Sequence, residues 1–288
     1  MLVALDKKLK FKKIIVKEGG APNEIGRIFG ISIVDSLLFV QGSPELLIYN
    51  LHSQKIIAKH RFAFDMVSQI QKVNDVFVCA AIRRDSDEEE YFCLHQFKFD
   101  KKLGLVHLTK QTQLEPDMEV DNFLLTGHLL NLPAKNSLFF VFDWLGEYYE
   151  IDKTTYKVKQ HQKLPYFGDV KKFIAQSSEL PPYYQAYGAH VLHDSLLVIL
   201  REVDFETTSV SNPNEKQVEK TVRKRVQIYN SKLQKIGSQL LPIRATNIKI
   251  IDNKYLFASH LNDEKCYIYE INQELLSSIA ARLHPSAR

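Results

Sequence analysis

The sequence predicts an all-β fold, a propeller of repeated four-stranded antiparallel blades. Three observations carry this. A turn residue of the Asx type followed by a β-branched, aromatic and aliphatic run recurs five times: SLLFV after Asp35, DVFVCA after Asn74, SLFFVF after Asn136, SLLVIL after Asp194 and KYLFAS after Asn253. Each copy has further strand-like segments before and after it. The chain is also rich in rings, with 17 Phe and 13 Tyr, which suit a pleated, half-buried surface.

The elements follow in a fixed order. An apolar inner segment comes first: 28–34, 66–73, 122–130, 186–192 and 245–251. The Asx turn follows, because its short side chain hydrogen-bonds nearby backbone, and it leads into a buried second strand. A third strand comes next: ELLIYNL (45–51), EEYFCLHQFKF (89–99), GEYYEID (146–152), RVQIYNS (225–231) and KCYIYEI (265–271). The last segment mixes apolar and charged residues, as an outer strand facing water does: 54–62, 103–110, 154–162 and 233–241. Four such strands make a propeller blade.

The Asx turns lie 39, 62, 58 and 59 residues apart (35 to 74, 74 to 136, 136 to 194, 194 to 253). Insertions account for the irregularity: 83–90 and 202–224 read as loops between second and third strands, and 164–185 as a long connection. Five blades are visible, and 152–186 leaves room for a sixth. The fifth lacks an outer strand, so the segment 9–18 is expected to pair with it and close the ring, hiding an exposed edge. Residues 272–283 of the 272–288 tail read as a short helix capped by Asn272. The whole chain, 1–288, reads as one propeller domain.

Composition narrows the function classes. The net charge is +4, from 38 Lys and Arg against 34 Asp and Glu, and the positive residues are scattered. A nucleic-acid binder concentrates them on one face, so no nucleic acid is expected as partner. Cys79, Cys93 and Cys266 form no CxxC pair and read as buried small hydrophobes. Charges follow Leu5 at once, so the chain as given shows no export signal. No apolar run reaches the ~20 residues of a membrane helix.

Residues 19–51, and within them Gly19, Gly20, Pro22, Glu24 and Ile25, resemble the opening blade of NHL-like and TolB-like six-bladed propellers of Bacteroidetes. YNSKLQKIGSQLLP (229–242) is similar to a strand pair of the same family. The resemblance implies a binding module, often periplasmic or lipid-anchored after loss of a leader.

No catalytic signature emerges. There is no HExxH, no GxSxG elbow, no GxGxxG and no phosphate loop. His190 and His193, three apart on a strand, point to opposite faces and do not share a metal. The propeller itself nominates a site, since inner strands begin around one channel mouth. Arg27, Asp65, Asn122, Tyr187 and Asn247 stand at those starts and are the candidate ligand-binding residues. Oxygens of Asp65, Asn122 and Asn247 could imitate the calcium set of lactonase-type propellers, although a water-filled polar channel without metal is the simpler expectation. Two charged stretches, DSDEEE (85–90) and EKTVRKR (219–225), read as solvated loop tips, with partner docking as the sharper reading. The leading expectation is a non-enzymatic module that binds a protein or cell-surface component. A calcium-dependent hydrolase or lyase at the channel mouth, and a structural subunit of a cell-envelope assembly, are the alternatives.

Overall fold

The structure is a computed structural model of the chain. It describes residues 1–5, 11–42, 44–84, 90–100, 102–114, 126–143, 146–163, 186–193, 196–208, 219–241, 247–259 and 266–272. The Asx residues sit where the chain reverses. Asp35, Asn74, Asn136 and Asn253 have φ of 53°, 53°, 49° and 53°, in the left-handed region that Asn and Asp enter more readily than other residues with a Cβ. In the fourth unit His193 takes this role, with φ 49°; Asp194, expected there, lies outside the described residues.

Among the described residues these reversals join strands into six sheets. The first is β1 (Leu2–Leu5), β2 (Phe11–Glu18) and the short β3 (Glu24–Ile25). Sheet 1 of the repeat follows: β4 (Ile28–Val34), β5 (Leu37–Gly42), β6 (Glu45–Asn50) and β7 (Lys55–Arg61), all antiparallel neighbours. Sheet 2 holds β8 (Phe64–Met66), β9 (Gln71–Val73), β10 (Val76–Arg84), β11 (Glu90–Asp100) and β12 (Leu105–Gln113). Sheet 3 is β13 (Gly127–Leu132), β14 (Ser137–Phe142), β15 (Glu147–Asp152) and β16 (Val158–Lys163). Sheet 4 is β17 (Ala186–Leu192), β18 (Leu196–Thr208), β19 (Glu219–Tyr229) and β20 (Lys235–Leu240). Sheet 5 is β21 (Asn247–Ile251), β22 (Tyr255–Ser259) and β23 (Cys266–Glu270). The expected strand order within each unit is met, and the fold class is that of the blades read from the sequence.

Three details differ from the expectation, and two further expectations fall partly or wholly outside the described residues. The inner strand read over 66–73 is split: β8 and β9 each pair with β10, Val67 N still donates to the Ala80 carbonyl (3.0 Å), and residues 68–70 leave the ladder. Side chains take over there. Ile70 N donates to Ser32 Oγ (2.8 Å), Ala80 N to Ser68 Oγ (2.9 Å), and Gln41 Nε2 to the Ser68 carbonyl (2.7 Å). The insertion read as a loop over 202–224 is largely ladder: β18 and β19 stay paired out to Thr208 and Glu219, with Val203, Phe205, Thr207 and Thr208 of β18 and Thr221 and Val222 of β19 being types that suit extended backbone. Of the inner segment read over 122–130, residues 122–125 lie outside the described residues, and strand pairing is described from Gly127. The segment 9–18 was expected to complete the last sheet; among the described residues β2 takes its partners from β1 and, at Lys17 and Glu18, from β3. The helix expected over 272–283 lies outside the described residues beyond Asn272.

A second reversal, after the third strand of sheets 1 to 4, adds an Asx side-chain cap to backbone bonds such as Gly104 N to the Asp100 carbonyl and Tyr156 N to the Asp152 carbonyl. Asn50 Oδ1 accepts from His52 N and Ser53 N, Asp100 Oδ1 from Lys102 N and Leu103 N, Asp152 Oδ1 from Thr154 N and Thr155 N, and Asn230 Oδ1 from Lys232 N and Gln234 N, all at 2.8–3.1 Å. Each satisfies two backbone donors that the turn would leave bare.

The chain divides into two compact units, Met1–Asn131 with Asp152–Val158 and Leu132–Ile151 with Lys159–Arg288. In the first unit, sheets 1 and 2 share a core of Phe39, Ile48, Phe62, Phe64, Phe77 and Phe97. The Phe39 and Phe77 rings lie 4.9 Å apart and those of Phe62 and Phe64 4.5 Å apart. Burying each such side chain stabilises the fold by roughly 1.5–3 kcal/mol. The opposite face of sheet 1 packs Leu38, Val40, Leu47 and Tyr49 against Val16 of β2 and Ile25 of β3. In the second unit, sheets 4 and 5 share Val198, Val226, Ile248, Leu256 and Ala258. Among the described residues no helix is long and apolar enough to cross a membrane.

Candidate functional site

The site that stands out is the β4 edge of sheet 1, with Arg27 at its entrance. The short strand β3 delivers the chain to it. Ile25 is fully buried and anchors this approach. Gly26 N donates to Glu45 Oε2 (3.3 Å), Lys59 Nζ donates to the Glu24 carbonyl (2.8 Å), and Lys59 pairs with Glu45 at 3.1 Å. Burial alone would raise the Glu45 pKa, but hydrogen bonds from Lys59 and from Gly26 N outweigh it and hold it below its ordinary value. Ile28 N donates to Glu18 Oε1 (3.0 Å). That backbone bond, with the N-terminal amine 3.2 Å from Glu18, lowers the Glu18 pKa as well.

Gly42 makes this approach sterically feasible. A Cβ there would lie 2.8 Å from Ile25 Cγ1 and 3.2 Å from the Arg27 carbonyl oxygen. Only a residue without a side chain admits the β3–β4 connection so close to β5.

Beyond Arg27 the strand turns apolar side chains outward. Phe29, at a β-bulge in the β4–β5 ladder, is 61% exposed, Ile31 36% and Ile33 56%. The Arg27 guanidinium carbon stands 5.5 Å from the Phe29 ring centroid, within cation–π range. Ile33 pairs across to Leu38 and Ile31 to Val40, so these isoleucines share the face that β2 and β3 cover further along. One apolar face is therefore half covered by the chain's own strands and half open. The apolar character of IFGISIV is legible in the sequence, but nothing there distinguishes a covered face from an open one.

Of the five residues nominated from sequence, Arg27 is thus exposed at the head of β4, and Asp65 is exposed in β8 with its backbone paired to Ile82. Tyr187 lies at a register irregularity of β17, and Asn247 opens β21 opposite Ser259. The side chains of these two, and Asn122 altogether, lie outside the described residues. Among the described residues no cluster of three or more His, Cys, Asp or Glu has the geometry to hold a metal ion.

Two polar constellations have catalytic residue types but no access. Cys93 Sγ lies 3.0 Å from His95 Nε2, and the Phe64 ring stacks on His95 with centroids 3.7 Å apart. Both residues are fully buried, so no substrate reaches the thiol. Burial, aided by Cys93, pushes the Cys79 thiol pKa up; as expected, Cys79 and Cys93 behave as core residues. In sheet 3 the Ser137 hydroxyl donates to Glu150 Oε1 (2.8 Å), Lys135 pairs with Glu150 at 3.2 Å, and Lys159 Nζ stands 3.4 Å from Ser137 Oγ. Ser137 is also fully buried. Burial and the Glu150 charge push nearby Tyr148 up to about 12. This is a structural polar network, satisfied within one sheet.

No protein-family model matches the chain, and no curated protein matches it. Solved structures do. One from Bacteroides uniformis, provisionally assigned as a 6-phosphogluconolactonase, superposes with a TM-score of 0.55 at 12% identity, over 94% of this chain and 74% of its own. A member of the DUF4221 family from Bacteroides vulgatus gives 0.53 at 13% identity, over 92% and 84%. The β-propeller domain of Cps50 (Swd1) from Myceliophteria thermophila gives 0.50 at 10% identity, over 92% and 89%. Likeness at such identities is likeness of fold. The chain belongs with the all-β proteins built of repeated four-stranded sheets. It is a β-propeller.

Proposed function

We propose that this propeller is a non-enzymatic interaction module that docks a protein or cell-surface component on the open half of sheet 1. The observation that supports it is the exposed stripe of Phe29, Ile31 and Ile33 beside Arg27. Contiguous exposed apolar side chains mark interaction surfaces on soluble proteins, and aromatic residues and Arg are enriched where such surfaces carry most of their binding energy. The covered half of the same face shows what fits it: an apolar sheet face such as that of β2 and β3. The partner accordingly presents an apolar surface with an anionic or carbonyl group placed for Arg27. The resemblance of residues 19–51 to the opening blade of NHL-like and TolB-like propellers would fit a binding role, while the propeller fold alone assigns none.

The test is partner capture by covalent crosslinking in the native cell, followed by affinity measurement with the identified partner. Three chains are compared: the natural one, Phe29→Ser with Ile33→Ser, and Arg27→Glu. Loss of each anchor is expected to weaken binding by about tenfold or more, which is ~1.4 kcal/mol or above, with thermal stability unchanged. Equal affinity for all three chains would overturn the assignment of the site.

A further inference from the structure

The open stripe of sheet 1 carries a charge at each end. Alternation along the strand puts Arg27, Phe29, Ile31 and Ile33 on one face, and all four are exposed while Ser32 between the isoleucines is buried. The row begins at the Arg27 guanidinium beside the Phe29 ring. It ends at Asp35, in the turn to β5, whose side chain is 62% exposed. The order is thus one cation, three apolar side chains, one anion. Among the described residues no ion pair engages Arg27, and Glu18 nearby is held by Ile28 N and the N-terminal amine. Lys72 stands 2.6 Å from Asp35 Oδ2, itself 40% exposed. An exposed pair of this kind is worth only ~0–1 kcal/mol, so Asp35 stays available to a second cation.

Such a row is its own complement. Turned end for end about Ile31, it sets Arg27 opposite Asp35, Phe29 opposite Ile33, and Ile31 opposite itself. That is the self-matching a two-fold interface requires. The stretch from Arg27 to Asp35 spans about 27 Å of extended strand, and apolar sheet faces pack about 10 Å apart. A second such face would continue the cover that Val16 of β2 and Ile25 of β3 begin over Leu38 and Val40.

We propose that the occupant of the open half of sheet 1 is a second copy of this chain, docked face to face about a two-fold axis through Ile31. This rests on the reading of that surface given above and names its partner: the anionic group that meets Arg27 is the second copy's Asp35. A five-residue row is short of the roughly 20–30 residues a side of a standard interface, so the dimer is weak and exchanges with monomer.

Sedimentation equilibrium of the full chain at rising concentration tests it. The natural chain is expected to pass from the monomer mass toward twice that mass by about 1 mM, the range of weak contacts. Ile31→Asp sets like charges against each other on the axis and is expected to weaken association by about tenfold or more. Arg27→Asp and Asp35→Lys each place like charges opposite one another, and each is expected to weaken it by about tenfold. An equimolar mixture of these two chains matches the charges again. It is expected to recover the natural association to within about threefold, which general stickiness does not produce. Asp35 has φ 53°, a conformation that Lys disfavours. Asp35→Asn keeps that turn and is expected to weaken association by about threefold. A natural chain whose mass does not change with concentration would sink the proposal. So would association unaltered by Asp35→Asn, or a mixture of two folded variants no better than its components. With the dimer absent, unequal capture of a different partner by the natural, Phe29→Ser with Ile33→Ser, and Arg27→Glu chains would leave the surface itself standing; equal capture would remove both readings.

Discussion

Replacing Ser68 by Ala tests the account of the split inner strand in sheet 2. Ser68 is 7% exposed. Its hydroxyl accepts from Ala80 N at 2.9 Å and donates to the Gln69 carbonyl at 3.0 Å. The substitution removes one hydroxyl, hence one acceptor and one donor, at little cost in volume. A buried N–H left without its acceptor costs ~1–3 kcal/mol. For domains of this size each kcal/mol lowers Tm by roughly 2–4 °C, so a fall of several degrees is expected. Ser53→Ala is the control, since Ser53 is exposed in a turn and its backbone N–H, not its hydroxyl, makes the bond to Asn50; an effect within about 0.5 kcal/mol is expected. Thermal melts by circular dichroism give the global effect, and hydrogen exchange at Ala80 gives the local one. Unchanged melting together with unchanged Ala80 exchange would refute the claim that side chains hold the backbone where the ladder is interrupted.

Three further outcomes follow from the same geometry. Gly42→Ala is expected to displace Ile25 and the Arg27 backbone, costing ~1–3 kcal/mol through overpacking and weakening partner binding; an unaltered Tm and affinity would count against the close approach. Glu45 has a folded-state pKa below its unfolded value, so its contribution is present above the unfolded pKa and is lost as pH falls through the lower folded one. Titration below about pH 4.5 should therefore destabilise the natural chain more than Glu45→Gln, and parallel profiles would refute this. Calcium, zinc and EDTA are each expected to leave Tm unchanged; a rise with calcium, reversed by EDTA, would revive a metal at the channel mouth, since a ligand at a hundred times its Kd stabilises by ~2.7 kcal/mol.

Much of this architecture is legible in the sequence for a simple reason. Turn residues at Asp35, Asn74 and Asn136 report a backbone conformation directly, and alternating or continuous apolar runs report burial. The exceptions have physical causes as well. The inner segment at 66–73 has a strand's composition, but Ser68 offers the backbone a competing partner. The stretch 202–224 looks like an insertion because it is polar, and yet polar β-branched residues pair perfectly well outside a core. For the site, Arg27 and Asp65, both exposed, were nominated by position in the repeat. The open stripe of Phe29 and Ile33 was not, because an apolar residue on a strand carries no mark of which neighbour, if any, covers it.

That asymmetry explains how so irregular a repeat specifies one fold. Core positions accept many side chains of roughly suitable volume: Phe39, Val78, Phe140, Val198 and Leu256 all serve in second strands. Chain reversals are less forgiving, because each leaves backbone donors that need a partner. The four Asx side chains at 50, 100, 152 and 230 meet that need in the same way, whatever the spacing between units. Register is thereby reset at every third-to-fourth strand turn, and an insertion elsewhere in a blade does not propagate into the next. The repeat is written in the satisfaction of turn backbone more than in the residues of the core. Removing one such side chain, as in Asp152→Ala, should therefore loosen β16 alone, and hydrogen exchange that spread evenly over neighbouring sheets would contradict it.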